Sequence, residues 1–554
     1  MEQGSVHGKV ARKASNDGSN QTPALIDYNL FDSDPVLVDA VLRENAGGFR
    51  SELAATGNEL GRADNFDAAR LANQYGPVLR THDARGVRID EVEFHPAWHA
   101  LLSAIARRRL HNRPWSQPGT GAHVARAAAY FMQTQIESGT LCPTTMTYGA
   151  IAAMRRDANL ARDWLPTLLS DQHDARNLPL AAKAGGMIGM GMTEKQGGSD
   201  VRANTTRATR VADGSYRLLG HKWFFSAPQC DAHLVLAQSE SGLSCFFVPR
   251  YTPEDKKNGV LIQRLKDKLG NRSNASAEVE FDHAYATLLG EPGRGIPTIL
   301  EMGTFTRLDC VTGTAGLMRQ ALAHALNHAR HRSVFGKPLV EQPLMQSVLA
   351  DLCLESAGAT VLALRLARAF DAPEGDEHEA AIRRIMTPVA KFWVCKRGPE
   401  LAAEAMEVLG GNGYVEELAL ARIYREMPVN SIWEGSGNVM CLDLLRGLSR
   451  YPASVAAIEE TFVRMKGRDA LFDQAYPPLL LRLAGGGWPE AEARHLAWRL
   501  VSLFCAALLL DSGLPPLATA FCQTRLSPRR GSVFGSFEGP IAAKEIIAAS
   551  WREK

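Results

Sequence analysis

The sequence predicts an α+β multidomain fold, in which helices come first, a β domain follows, and helices resume to the end of the chain. Three observations carry this reading. The chain has 554 residues, which at roughly 100–200 residues per domain makes three to four domains. Between Ala184 and Gly293 the sequence breaks into short runs such as HLVLAQS, SCFFVPR and SAEVEFDH, separated by turn-forming DGS, NG and EPG. On both sides of that stretch apolar residues return every three or four positions, the spacing of one helix face.

Each segment follows from its own pattern. Residues 1–22 are rich in Ser, Asn and Gly, too polar to offset their ordering entropy by burial, and predict a disordered tail. Residues 23–183 read as mainly helical, as in AWHALLSAIARRRL and HVARAAAYFMQTQIES. Residues 184–293 form the β domain; Ala277, Val279 and Phe281 alternate with Glu278, Glu280 and Asp282, giving a strand with one buried and one wet face. Residues 294–450 return to helix, with Met318, Leu322, Ala325 or Leu326, and Ala329 on one apolar stripe. Residues 451–554 add a further helical unit, interrupted at Gly485-Gly486-Gly487-Trp488-Pro489 and ending in the basic RLSPRRGSVFGSFEGP. Helices grouped on either side of the strands exclude alternating βαβ units. The nearest approaches to G-x-G-x-x-G, at Gly189/Gly191 and Gly435/Gly437, lack the third glycine, so no nucleotide is held on a Rossmann turn.

Composition narrows the function. With 45% hydrophobic and 22% charged residues the chain is an ordinary globular protein. A net charge of +2 gives no global field toward DNA or anionic lipid, so a polyanion must find a local patch. The nine cysteines never form C-x-x-C and read as reduced, buried thiols. The N-terminus carries no apolar secretion segment, and the longest nearly apolar run, Leu500–Leu510, falls short of the ~20 residues of a membrane span. A cytoplasmic protein is expected. His324, His328 and His331 have no carboxylate or cysteine at ligand spacing, and no metal is expected.

Three segments join glycines to a few hydroxyl or acidic side chains. In Met190–Val201 small residues let backbone N–H groups approach a planar or phosphorylated ligand, with the Thr193 and Ser199 hydroxyls to fix its edge. Trp223-Phe224-Phe225-Ser226 adds aromatic rings and a third hydroxyl, although an aromatic pair is by itself more often core. In Ser431-Ile432-Trp433-Glu434-Gly435-Ser436-Gly437-Asn438, Glu434 lies between a bulky aromatic and a glycine. Shielded there, its pKa rises and it suits a general base; otherwise it serves only to stabilise the next helix N-terminus.

Taken together, these segments resemble the acyl-CoA dehydrogenase family. The matches are the T-E-x-x-x-G-S-D loop Thr193–Asp200, the strand Phe224–Ser226, Arg332–Leu339, Leu349-Ala350-Asp351, Leu409–Tyr414 and the aromatic-E-G-S motif Trp433–Ser436. The resemblance implies a helical domain, a middle β-barrel and a helical bundle, FAD where the three meet, and a homo-oligomer, here a tetramer. Carried over by position, Met190, Thr193, Ser199, Phe224, Phe225 and Ser226 would contact FAD, with Thr193 and Ser199 also near the acyl thioester. Arg332 and Phe335 would reach a neighbouring subunit's flavin, and Asn438 the adenosine end. Arg307, Trp433 and Gly435 would flank the acyl-CoA, and Glu434 would be the base of α,β-dehydrogenation. In one branch the base sits on an earlier helix before an arginine; that position is Thr306-Arg307, so Glu434 has no rival. Two glutamines that hold ADP in the family fall on Pro343 and Glu407, with Gln342 and Gln346 nearby, and an acid that usually precedes the arginine is Thr304. These departures imply weak dehydrogenase activity.

The long tail, GMTEKQGGSDV, YREMPVNSIWEGSGNVMCLDLLR, AFCQTRL and GSVFG resemble the AidB branch, the alkylation-damage-inducible relatives of these dehydrogenases. That resemblance implies non-specific binding of double-stranded DNA through the C-terminal domain. The cluster Arg525, Arg529, Arg530, joined by Arg446, is the phosphate-contacting candidate. No DNA-reading motif accompanies it, so contacts would be to the backbone. The competing expectation is a metabolic dehydrogenase of short or branched acyl chains whose C-terminal helices only build the oligomer.

Overall fold

The computed structural model describes residues 20–527 and 531–552. The helix, strand, helix order of the sequence reading is what it shows. One correction falls in the first helical stretch, where Val78–His82 (β1) and Arg88–Glu93 (β2) form an antiparallel hairpin. Asp83 caps its turn, its Oδ1 accepting from the backbone N–H of Arg85 and Val87.

The seven remaining long strands are Ile188–Gly191 (β3), Arg207–Arg210 (β4), Tyr216–Ser226 (β5), Ala232–Ser239 (β6), Gly242–Pro249 (β7), Val260–Leu265 (β8) and Ser276–Leu289 (β9). The hydrogen-bonded order β6-β4-β5-β9-β7 returns to β6 through a β6–β7 pairing, closing a barrel; β3 lies parallel on β6, and β8 antiparallel on β9. The predicted alternation holds, because Ala277, Val279 and Phe281 fill the barrel with Phe225, Phe246 and Val235. A closed barrel has no free edge over its central strands, which leaves the strand ends to carry a site.

Two long helices, Gly295–His331 and Glu377–Val408, pack against each other with Pro343–Asp371 to form the bundle. Pro343 occupies the first turn of its helix, where its missing N–H costs nothing and its fixed φ favours entry. Its neighbours Gln342 and Gln346 donate to the carbonyls of Val334 and Val340, fixing the preceding turn.

The C-terminal helices share the bundle's apolar core rather than forming a core of their own. Phe521 approaches so closely that a Cβ on Gly358 would lie 3.0 Å from its ring. Two helical segments, Pro343–Asp371 and Glu490–Leu510, are apolar and long enough by composition to span a membrane, which the sequence reading missed. Their most apolar windows are 89% and 72% buried in the protein, as core helices are.

The expected disordered tail needs a second correction. Asn20 exchanges two hydrogen bonds with the backbone of Ser333 and accepts from Arg332, and Thr22 bonds His328. Residues 1–19 lie outside the described residues. All nine cysteines are buried and unpaired.

Candidate active site

The glycine-bearing loop after β3 is braced from within. Gly191 is required where it stands, since a Cβ there would come within 2.6 Å of the Phe225 ring. Glu194, the acid of the T-E-x-x-x-G-S-D motif, turns inward and accepts from Thr205 N (2.6 Å), Thr206 N (3.1 Å) and Lys222 Nζ (2.7 Å). Burial works to raise its pKa, and the Lys222 ammonium with the threonine donors overcomes that, leaving it at about 2. Lys222 also donates to the Leu236 carbonyl at 2.8 Å, tying the loop to two barrel strands. Sequence reasoning missed this pair, whose only sign was a lone lysine in the run before Trp223. Replacing Lys222 with Met strands the Glu194 carboxylate and is expected to cost about 3 kcal/mol. Chemical denaturation checks this, and adding Glu194→Gln should restore much of the loss.

With the loop fixed, Thr193 is half-buried and Ser199 exposed, and the Thr193 carbonyl accepts from Trp223 N at 2.8 Å. Met190 is buried in the apolar cluster that includes Cys142 and Ala227. Strand alternation then divides the Phe224–Ser226 group. Phe224 is 53% exposed, with Lys266 Nζ 4.6 Å from its ring centre, whereas Phe225 is fully buried and stacks on His233 inside the barrel. Phe225 is therefore a core residue and not a cofactor contact, which corrects the expectation. Ser226 pairs with Ser276 at the strand end.

Glu434 stands in the turn between Ala419–Asn430 and Gly437–Arg450, in the left-handed region at φ +58. Such a backbone is strained for a glutamate and persists only where its surroundings impose it. They do so at four points. Arg307 Nε donates to the Glu434 carbonyl (3.0 Å), Lys391 Nζ to the carbonyls of Gly435 (2.8 Å) and Asn430 (3.0 Å), and Thr306 Oγ1 to Glu434 Oε2 (2.6 Å). Gly435, at φ +104, has no room for a Cβ, which would meet Met440 at 2.4 Å. Burial pushes the Glu434 carboxyl above its ordinary range, against the opposing Thr306 hydrogen bond and the Lys391 and Arg307 charges.

Arg307 is accordingly a positioning residue rather than the expected substrate contact. Its Nε and Nη1 are committed to Glu434 and, at 2.9 Å, to Asp443. Thr306 was noted from the sequence only as a position lacking a base, and Lys391, 1% exposed, was visible only as a lone charge in PVAKFWV.

Cys142 shows that the two halves meet. Burial pushes its thiol up to about 11; Lys268 and Glu434 act on it through space, and Ser226 lies near it. Around that point several polar groups lack partners: both amide atoms of Asn274, and the indole N–H of Trp433. Buried polar atoms are rarely left unmet, and a planar ring with a polar edge between Phe224, Ser226 and the Glu434 turn would meet them. FAD fits this donor set.

The remaining candidates are dispersed. Phe335 is 99% exposed at φ +52 in the turn between Ser333–Val334 and Lys337–Pro338, which leaves its ring available to another chain. Arg332 donates to Asn20, and Asn438 accepts from Arg494 Nε at 2.9 Å. Arg446 is exposed on Gly437–Arg450. Arg525 corrects the DNA expectation: it is 6% exposed and its guanidinium pairs with Asp351 (2.5 Å) and Glu355 (2.7 Å). Arg529 and Arg530 lie outside the described residues.

Comparison with known proteins agrees with this geometry. Residues 20–175 match the adaptive response protein AidB N-terminal domain, 189–284 the acyl-CoA dehydrogenase middle domain, and 293–449 the acyl-CoA dehydrogenase C-terminal domain. The chain is 51% identical to Escherichia coli (strain K12) AidB over 514 residues, 92% of this chain and 94% of that one. Its structure resembles Caenorhabditis elegans ACDH-11 in complex with C11-CoA, with a TM-score of 0.83, 26% identity and coverage of 94% of this chain and 95% of that one. An acyl-CoA dehydrogenase from Bacillus anthracis complexed with FAD has the same fold at 19% identity, with a TM-score of 0.63 over 77% of this chain and 80% of its own. The chain thus belongs to the acyl-CoA dehydrogenase family of flavin oxidoreductases, in its AidB branch, with FAD as its cofactor.

Proposed function

We propose that this protein α,β-dehydrogenates an acyl-CoA thioester, with Glu434 as the base, and that it serves the response to DNA alkylation while bound to double-stranded DNA. The observation that carries the first part is the Glu434 turn. Four side-chain hydrogen bonds hold the strained turn, one of them to the carboxylate itself, which acts through space on Cys142 near Ser226. FAD supplies the acceptor for the hydride that leaves the substrate β-carbon. Glu434 Oε2 takes the α-proton, and its raised pKa makes that transfer from a weak carbon acid less uphill. Trp433 and Gly435 flank the base, and the tight Gly435 backbone keeps the turn from relaxing away. The C11-CoA complex of ACDH-11 supports an acyl-CoA as the substrate class. Anaerobic addition of short, branched and medium acyl-CoAs to the yellow holoprotein should bleach the flavin with at least one of them.

The sign of the pH dependence follows from the Glu434 shift. The base works only when ionised, so kcat/KM should rise with pH through a value above the ordinary glutamate range. The Thr306 O–H favours the ionised form. Thr306→Val is therefore expected to move the acidic limb to still higher pH while leaving the plateau within a few-fold. A limb that stays in place removes Thr306 from the role.

DNA binding and the alkylation response rest on the AidB resemblance, to which the described residues add the exposed Arg446. Arg529 and Arg530 complete the candidate set, and Arg525 is no longer part of it. Gel shift of plasmid DNA by the full chain should weaken with salt, and Arg446→Ala with Arg529→Ala and Arg530→Ala should flatten the log–log salt slope by about one per lost phosphate contact. No shift at low salt favours the metabolic dehydrogenase instead. The exposed Phe335 ring supports a homo-oligomer, a tetramer by resemblance, in which it meets a neighbour's flavin.

A further inference from the structure

A half-open cavity lies beside the barrel, and Glu434 is not among its walls. Its volume is about 220 Å³, and its walls come from the β1–β2 hairpin, the helix Pro96–Arg107, the segment 172–187 and the start of β6. That is roughly the room for a one- or two-ring molecule, below the size of a pocket for a drug-sized ligand. Neither Thr193, Ser226 nor Glu434 lines it, although Pro143, the neighbour of Cys142, does. One wall is aromatic. Phe94 stacks on Trp98 with centroids 3.9 Å apart, and His99 on His173 at 5.4 Å, with Trp98 edge-on to His173.

Several of the charges at this wall are in ion pairs, while Glu91 and Arg250 have neutral partners. Lys183 pairs with Asp231 at 2.5 Å, Arg176 with Asp174 at 2.6 Å and Glu93 with Arg80 at 2.7 Å. Glu91 accepts from Asn177, and Arg250 donates to the Gln229 carbonyl. Burial lowers the pKa of both imidazoles, that of His173 to about 4. Two polar atoms remain buried without a partner, the Trp98 Nε1–H donor and the Gln229 Oε1 acceptor. Groups left unmet in this way normally have a ligand or ordered water to complete them.

We propose that this cavity is a binding site for a small planar heteroaromatic ring bearing a ring-nitrogen acceptor and an N–H donor. The ring lies against the Phe94–Trp98 and His99–His173 wall, accepts from Trp98 Nε1 and donates to Gln229 Oε1. The site is distinct from the reaction centre, although Pro143, Met187 and Cys230 in its wall adjoin the apolar cluster that holds Cys142 and Met190.

Benzimidazole, neutral at mildly alkaline pH, is the probe. Titrated into the holoprotein it should quench tryptophan fluorescence saturably and raise the melting temperature. Trp98→Phe and Gln229→Leu should each weaken binding about tenfold, the worth of one hydrogen bond, and Glu434→Gln should leave it unchanged. Three results overturn the proposal: no saturable binding, equal binding of naphthalene, or loss of binding in Glu434→Gln with retention in both cavity variants.

Discussion

Replacing Glu434 with Gln lowers acyl-CoA dehydrogenation by about a thousandfold or more, the span that a positioned general base contributes, while the holoprotein stays yellow and folded. Gln keeps the length of the side chain and can still accept from Thr306, and the Arg307 and Lys391 contacts are to backbone carbonyls that the substitution leaves in place. What disappears is the proton acceptor alone. The stability consequence has a definite sign. Because the folded-state pKa is raised, the contribution of this carboxyl is fully present below its unfolded pKa and is lost as pH rises through the folded value. Above the folded value the charged Glu434 therefore costs stability, and there Glu434→Gln should melt no earlier than the native protein. Calorimetry with stopped-flow flavin reduction on the same sample reads both effects. Native reduction rates in the variant would remove Glu434 from the mechanism.

Arg525→Met should be the most damaging single change outside the reaction centre, costing about 4–5 kcal/mol, at the upper end for a broken buried ion pair. Its guanidinium sits between Asp351 and Glu355, all three side chains being 3% exposed or less. Glu355 keeps Arg397 at 2.6 Å, but Asp351 is left with the backbone N–H of Gly535 as its remaining described donor. A buried carboxylate so deprived must either bear its charge in an apolar surrounding or take up a proton. Urea unfolding of the full chain measures the loss. A variant of native stability with weakened DNA binding would restore Arg525 to the phosphate-contacting role that its burial denies.

Much of the fold and the centre of the site were legible in the sequence, for identifiable reasons. The alternation of Ala277, Val279 and Phe281 reflects a strand whose one face must leave water, and it forms the barrel interior. Glu434 stood out through its glycine and aromatic neighbours, and the glycine is the residue that its turn requires. The hairpin Val78–Glu93 escaped because its strands carry charged residues on both faces, and Asp90, buried at 2% exposure, is paired with Arg88 and Lys257. Phe225 and Arg525 were misplaced for a related reason. A residue type signals average exposure, whereas one step along a strand, or one facing pair of acids on another helix, reverses it. Thr306 and Lys391 are 128 and 44 residues from the groups they hold, and nothing local in the chain announces such a contact.

The helix Pro343–Asp371 is sheathed on nearly every side, and the last hundred residues supply part of that sheath. A protein cut after Arg450 would present to solvent a rod that by composition belongs in oil. We expect such a fragment to precipitate or to be captured by chaperones, so its failure to retard DNA would say nothing about where nucleic acid docks. The appendage is a structural organ first, and any nucleic-acid role it performs has to be dissected by point substitution in the uncut chain.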